Sequence, residues 1–201
     1  MKITNILAIM IFFFTLTANA QDYKSAFGFT SKISDNWLIV TRETLSKNID
    51  IFNFGTKEIK KMDDSLKSQI KKMALSGKME LLYYKKSDID FYDNINLFVE
   101  QQKISNLKKR TTELCTIFPQ QIKQVYNRND YTKMHYCKFE NIYGVNAISY
   151  SFDGALYGTR SYGYYFNTKD STITLTITCK NNKCDEVKKD ADLIFKNLVL
   201  N

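Results

Sequence analysis

The chain is poor in the residues that interrupt structure. It holds one proline (Pro119), seven glycines, one tryptophan and one histidine in 201 residues. That scarcity, beside 13 tyrosines and 14 phenylalanines, excludes a disordered, collagen-like or low-complexity chain and describes an ordered domain. There is no internal repeat and no low-complexity linker. The single histidine, His135, leaves one candidate base for Ser-His-Asp or Cys-His chemistry, and no G-x-S-x-G turn accompanies it. It sits in Lys133-Met-His-Tyr-Cys137, which reads as strand, so a plain strand histidine is the simpler reading. The sequence offers no catalytic constellation and points to no cofactor.

Long apolar runs are also lacking, with one short exception. Ile6 to Thr17 is an apolar stretch of a dozen residues behind the positive Lys2, and Ala18-Asn19-Ala20 supplies the small residues of a cleavage site. A membrane-spanning helix needs roughly 20 apolar residues. Residues 1–20 are therefore expected to be a signal peptide cut before Gln21, leaving no transmembrane anchor. The first cysteine is Cys115, so no cysteine stands near the cut to carry a lipid. Residues 21–201 are expected to form one domain, periplasmic or secreted, long enough to bury a sizeable core.

The chain carries +8, and Lys2 is the one charge within the first 20 residues, so residues 21–201 carry one less, +7. A positive balance favours acidic proteins, acidic glycans or anionic lipid surfaces as partners. It concerns association rather than fold. For an exported protein, nucleic acid is not expected.

Apolar periodicity divides the chain into strands and helices. Phe27 to Ile33 and Trp37 to Thr41 read as strands around an Asp35-Asn36 turn, together an N-terminal hairpin. Ile59, Met62, Leu66, Ile70, Met73 and Ala74 fall on one helical face, roughly Lys57 to Ser76, with Gly77 as C-terminal stop. Strands are expected over Met79–Lys86 and Asn94–Gln102. A helix starting at the Ser105 cap should end before Pro119. Then come strands at Gln121–Asn127, Tyr131–Glu140, Tyr143–Phe152, Leu156–Phe166 and Ser171–Cys179, and a last helix from Cys184 to Asn197. In Ser171–Cys179 the alternation of Ile173, Leu175, Ile177 and Cys179 with threonines is the plainest strand signal. Short turns between strands imply antiparallel pairing, so the fold class is α+β, an antiparallel sheet with helices packed on its faces in an αβα sandwich.

Four cysteines in an exported chain imply two disulfides out of three possible pairings. The expected pairs are Cys115–Cys137, tying the middle helix to a strand, and Cys179–Cys184, stapling the last strand to the last helix. A zinc site would want a second closely spaced pair, and a redox couple a C-x-x-C motif; neither is present, and no metal site is expected.

Three other clusters invite a functional reading. Asp88, Asp90, Asp93 and Asn94 look like a calcium loop, but the sixth and twelfth positions, Asp93 and Val99, lack the glycine and glutamate an EF-hand needs. A solvated hairpin turn is the expectation. Lys60, Lys61, Lys67, Lys71 and Lys72 lie opposite the apolar face of their helix, and a solvated outer face fits better than membrane binding. Tyr157, Arg160, Tyr162 and Tyr164 form the most suggestive surface. By alternation Arg160, Tyr162, Tyr164 and Phe166 share a side, and Tyr and Arg are residues that anchor interfaces. The plainer reading packs these tyrosines beneath a helix. Gly158 and Gly163 mark a bulge or a close backbone approach.

Phe27-Gly-Phe-Thr-Ser-Lys-Ile-Ser-Asp-Asn-Trp37, the strand pair Asn141–Phe152 and Leu156–Phe166, and Ile173–Cys179 leading to Phe195-Lys-Asn-Leu-Val199 together resemble the PsbP-like family. That family includes the extrinsic PsbP subunit of photosystem II, a Ran-binding nuclear import factor and DcrB-like bacterial exported proteins. Ser34 stands where the family often has proline. The resemblance implies an accessory or binding protein without one shared activity, and it carries over no functional residue. The expectation is an exported non-enzymatic binding or accessory protein, with a secreted effector-like factor or a hydrolase as alternatives.

Overall fold

The computed structural model describes residues 20–47, 64–88, 91, 93–100, 102–126, 133–154 and 156–200. The signal-peptide expectation, apart from Ala20, lies outside them, as do Ile59, Lys60, Lys61, Met62 and Asp90.

The described strands are β1 (Ala20–Ser25), β2 (Phe29–Ser34), β3 (Trp37–Val40), β4 (Met79–Tyr84), β5 (Asn94–Glu100), β6 (Met134–Ile142), β7 (Val145–Asp153), β8 (Thr159–Asn167), β9 (Thr172–Lys180) and β10 (Val199–Leu200). The helices are α1 (Arg42–Lys47), α2 (Asp64–Leu75), α3 (Leu107–Tyr126) and α4 (Cys184–Lys196). Seven strands form one antiparallel sheet in the order β3-β4-β5-β9-β8-β7-β6, and β1-β2-β10 form a second, antiparallel one.

The main core lies between the large sheet, α4 and the small sheet. In β9 Ile173, Leu175, Ile177 and Cys179 are fully buried while Thr174, Thr176 and Thr178 stay half-buried, the period-2 pattern seen in the sequence. α4 answers with Val187, Ala191, Ile194 and Phe195, a helical stripe over the sheet. Burying a side chain such as Phe195 contributes about 2 kcal/mol. Polar clasps fix the helix in place. The Ser31 hydroxyl donates to the Ile194 carbonyl (2.6 Å), Ser34 to Asp190 (2.6 Å) and the Tyr84 hydroxyl to Glu186 (2.8 Å).

A second, smaller core sits on the other face, where α3 covers β6 and β7. Leu107, Leu114, Phe118 and Ile122 of α3 meet Ile148, Tyr150, Phe152 and Phe139. The Phe118 ring lies 4.7 Å from Tyr150 and 5.0 Å from Tyr165.

Four expectations need correction. The N-terminal hairpin does not form: β2 pairs with β1, while β3 crosses to the large sheet and pairs with β4. Ser34 turns that corner, accepting from Asn36 N while it holds Asp190. The helix expected to stop before Pro119 runs through it to Tyr126, replacing the strand expected at Gln121–Asn127. Proline inside a helix costs about 3 kcal/mol. Here the stripe of Phe118 and Ile122 and the bond from Cys115 to Cys137 hold both sides of it. The cap is Asn106 rather than Ser105: at φ 51° its side-chain oxygen accepts from Lys109 N. On α2 Met73, expected on the core face, is 41% exposed, while Ala74 is fully buried.

Gly163 is a close backbone approach, as expected. A Cβ there would stand 2.1 Å from Cζ of Tyr150, whose ring lies over the glycine on the neighbouring strand. Gly158, at φ +77°, belongs to the turn before β8.

Candidate functional site

A groove runs between the edge strand β6 and helix α4. Alternation on β6 turns Cys137 and Phe139 toward α3, so Tyr136, Lys138, Glu140 and Ile142 face the α4 side. Their partners on β7 are small: Ser151, Ser149, Ala147 and Val145. Tyr164 on β8 stands beyond Ser149. A strand of small side chains between two strands of large ones leaves a trough, and α4 closes its far side with Lys188 and Asp192. The volume is about 670 Å³. One end is formed by Tyr143 of the β6–β7 turn, whose ring lies 5.4 Å from Lys196 Nζ at the end of α4.

The charges in the groove come in pairs. Lys138 Nζ is 2.8 Å from Glu140 and 5.7 Å from the centre of the Tyr136 ring. Lys188 lies 3.5 Å from Asp192. Burial pulls the Glu140 carboxyl upward, but the Lys138 ammonium, the Ser149 hydroxyl and the Lys188 charge outweigh it and hold the group below its ordinary value. Burial, helped by the Glu140 charge, pushes the Tyr136 hydroxyl up to about 12. Burial, with the nearby Tyr136, Asp192 and Glu140, raises Tyr164 well above the ordinary tyrosine value. At neutral pH Glu140 is therefore ionised, and the phenols of Tyr136 and Tyr164 are protonated. Beneath Tyr136 in register, the hydroxyl of Ser151 is buried with no protein partner.

Of the four residues singled out in the sequence, Tyr164 lines this groove. Its ring also packs 4.9 Å from Phe195 of α4, and Phe166 lies 5.8 Å from the same ring, the under-helix arrangement. Tyr162 is half-buried against the main core, and Arg160 holds a buried Nε with no partner. Tyr157 is 100% exposed in the turn before β8 and lies outside the groove. The sequence reading missed Tyr136, Lys138, Glu140, Lys188 and Asp192. The signal was present in Tyr136-x-Lys138-x-Glu140 facing the Ser149-x-Ser151 alternation, and it required knowing which strands are neighbours.

The remaining candidates fall elsewhere. His135 sits at a register shift in β6 and pairs through Nε2 with Asp153 at 2.6 Å. The acidic turn is not simply solvated. Asp93 is fully buried and accepts from Lys180 N, and burial raises its carboxyl; Asp88 is clasped by Lys183 and Lys180, whose hydrogen bonds and charge hold it low. Among the described residues no group of three or more His, Cys, Asp or Glu is placed to hold a metal. On α2 Lys72 is exposed and Lys71 half-buried.

The cysteines pair as expected. Cys115–Cys137 joins α3 to β6 with Cα atoms 5.6 Å apart, and Cys179–Cys184 joins β9 to α4 at 5.1 Å. Two disulfides suit an oxidising compartment. Among the described residues no helix is long and apolar enough to cross a membrane.

No family model matches the sequence, and no curated protein is similar to it in sequence. Solved structures do match. The solution structure of cyanobacterial PsbP (CyanoP) from Synechocystis sp. PCC 6803 aligns with a TM-score of 0.55 over 98% of this chain and 98% of that chain, at 10% identity. A crystal structure from Bacteroides thetaiotaomicron VPI-5482 is a looser likeness, with a TM-score of 0.45 over 90% of this chain and 48% of that chain at 11% identity. The chain has the PsbP-like α+β fold.

Proposed function

We propose that this chain is an exported, non-enzymatic binding or accessory protein that takes a segment of a partner protein in the groove between β6 and α4. The observation that carries the reading is the groove itself: three tyrosines and two lysine–carboxylate pairs around about 670 Å³. Such a lining donates and accepts hydrogen bonds in alternation, which suits a peptide's amides and mixed charges. Paired charges give it little net sign, so an anionic lipid surface suits it less well.

The titration pattern supports recognition over proton transfer. A general acid or base works best with a pKa near the operating pH. Glu140 is held below its ordinary range, and Tyr136 and Tyr164 are held above theirs. The PsbP-like fold, shared on this reading with DcrB-like exported proteins, agrees with an accessory role by analogy of fold alone. The two disulfides and the leader-like residues 1–20 support delivery to the periplasm or beyond.

Photo-reactive side chains placed at Tyr136, Tyr143 or Lys188 test the reading in the native cell. These positions are expected to give one defined protein adduct, while Lys109 on exposed α3 gives none. Adducts of equal yield at Lys109 and at the groove overturn it.

A further inference from the structure

We propose that the outer edge of β6 pairs antiparallel with β6 of a second copy of this chain, about a twofold axis through Phe139. β6 ends the large sheet, and among the described residues no strand pairs with its outer side. Such an edge is a ready template for another chain unless its own side chains oppose it.

The register follows from the strand itself. The shift between Met134 and Tyr136 breaks the regular ladder, which leaves Tyr136–Ile142 as the even run. Phe139 is its midpoint. A twofold perpendicular to the sheet keeps like faces together and sets Lys138 opposite the second copy's Glu140, and Glu140 opposite its Lys138. Tyr136 then meets Ile142, and on the other face Cys137 meets Asn141. Phe139, half-buried against the α3 cluster, meets its own copy. Moving the axis to Lys138 or to Glu140 places like charges directly opposite, which destabilises a strand pair. The arrangement centred on Phe139 therefore mates opposite charges and apolar groups at once.

Both partners of the charge pair are accessible at the edge, the Lys138 side chain 57% and the Glu140 side chain 31% exposed. Pairing would alternate four charges across the axis and cover the rest of Phe139. It would also set the two α4-side grooves side by side on one face. The pairing is isologous, so it closes at two copies. It stands on the edge's own register and holds whether or not the groove takes a ligand.

Sedimentation equilibrium of the natively purified protein tests it. At about 100 µM the mass is expected to be twice that of one chain. Lys138→Glu alone and Glu140→Lys alone each set like charges across the axis and weaken self-association by about tenfold or more. An equal mixture of the two variants sets every Glu against a Lys and recovers the wild-type association. Circular dichroism confirms that each variant is folded. A wild-type protein that stays single across this range, single variants that associate as tightly as wild type, or a mixture that fails to recover would each overturn the proposal.

Discussion

The hydroxyl of Tyr23 donates to the carboxylate of Glu80, and both residues are buried. Glu80 also accepts from the Ser25 hydroxyl (2.7 Å) and from Ala26 N (2.8 Å), so one acidic group of β4 gathers the end of β1 and its turn. Removing the acceptor leaves the buried hydroxyls of Tyr23 and Ser25, and the part-buried Ala26 N, without this partner. Glu80→Ala is expected to cost about 3–5 kcal/mol, and Tyr23→Phe, which leaves the other two donors satisfied, about 1–2 kcal/mol. Urea denaturation checks both. A Glu80→Ala cost below that of Tyr23→Phe would contradict the clasp.

Alkaline stability follows from the buried phenols. Tyr23, Tyr84, Tyr136, Tyr164 and Tyr165 all have hydroxyls raised above the ordinary value, burial being the largest cause in each, and Tyr136 reaches about 12. The folded state keeps protons that the unfolded chain releases near pH 10. The contribution is complete below that pH and is lost as pH rises toward 12 and beyond. Tyrosinate absorbance and circular dichroism, recorded together, should change together for these five groups. All 13 tyrosines ionising near pH 10 with the fold intact would contradict this.

Gly163 is fixed by the ring above it. Gly163→Ala places a Cβ on Cζ of Tyr150 and is expected to cost about 1–3 kcal/mol. In a Tyr150→Ala background the same change should cost close to nothing, a coupling that a double-mutant cycle reads directly. An unchanged cost in both backgrounds would show that the ring is not responsible.

The two disulfides differ in what they hold. On loop length, Cys115–Cys137 is worth about 3 kcal/mol and Cys179–Cys184 about 2 kcal/mol. Loss of the first should also release α3, whose Pro119 interrupts its own backbone ladder. Replacing Cys115 and Cys137 by serine should speed amide exchange across Leu107–Tyr126 more than across Cys184–Lys196. Equal change in both helices would contradict the assignment.

What the sequence showed and what it hid follow from range. The β9 alternation, the α4 stripe and the cysteine spacings are local, and each appears in the structure as read. Pro119 misled because its local penalty is outweighed by packing against residues that lie beyond it in the chain. The hairpin at Asp35-Asn36 misled because the partner of β2 is β1, in a segment that carries too short a pattern to announce itself. The groove was hidden for the same reason at larger scale. Tyr164 was visible as part of an aromatic run, but Lys138, Glu140, Lys188 and Asp192 become one site only through the order β8-β7-β6 and the placing of α4.

Amide hydrogen exchange on the purified protein, with and without the partner recovered by cross-linking, tests the groove most directly. Binding there slows exchange in Tyr136–Tyr143 and in the α4 turns that carry Lys188 and Asp192, and leaves α2 and the β4–β5 loop unchanged. Protection confined to the exposed turn at Tyr157, with the β6 and α4 segments unaltered, would contradict it.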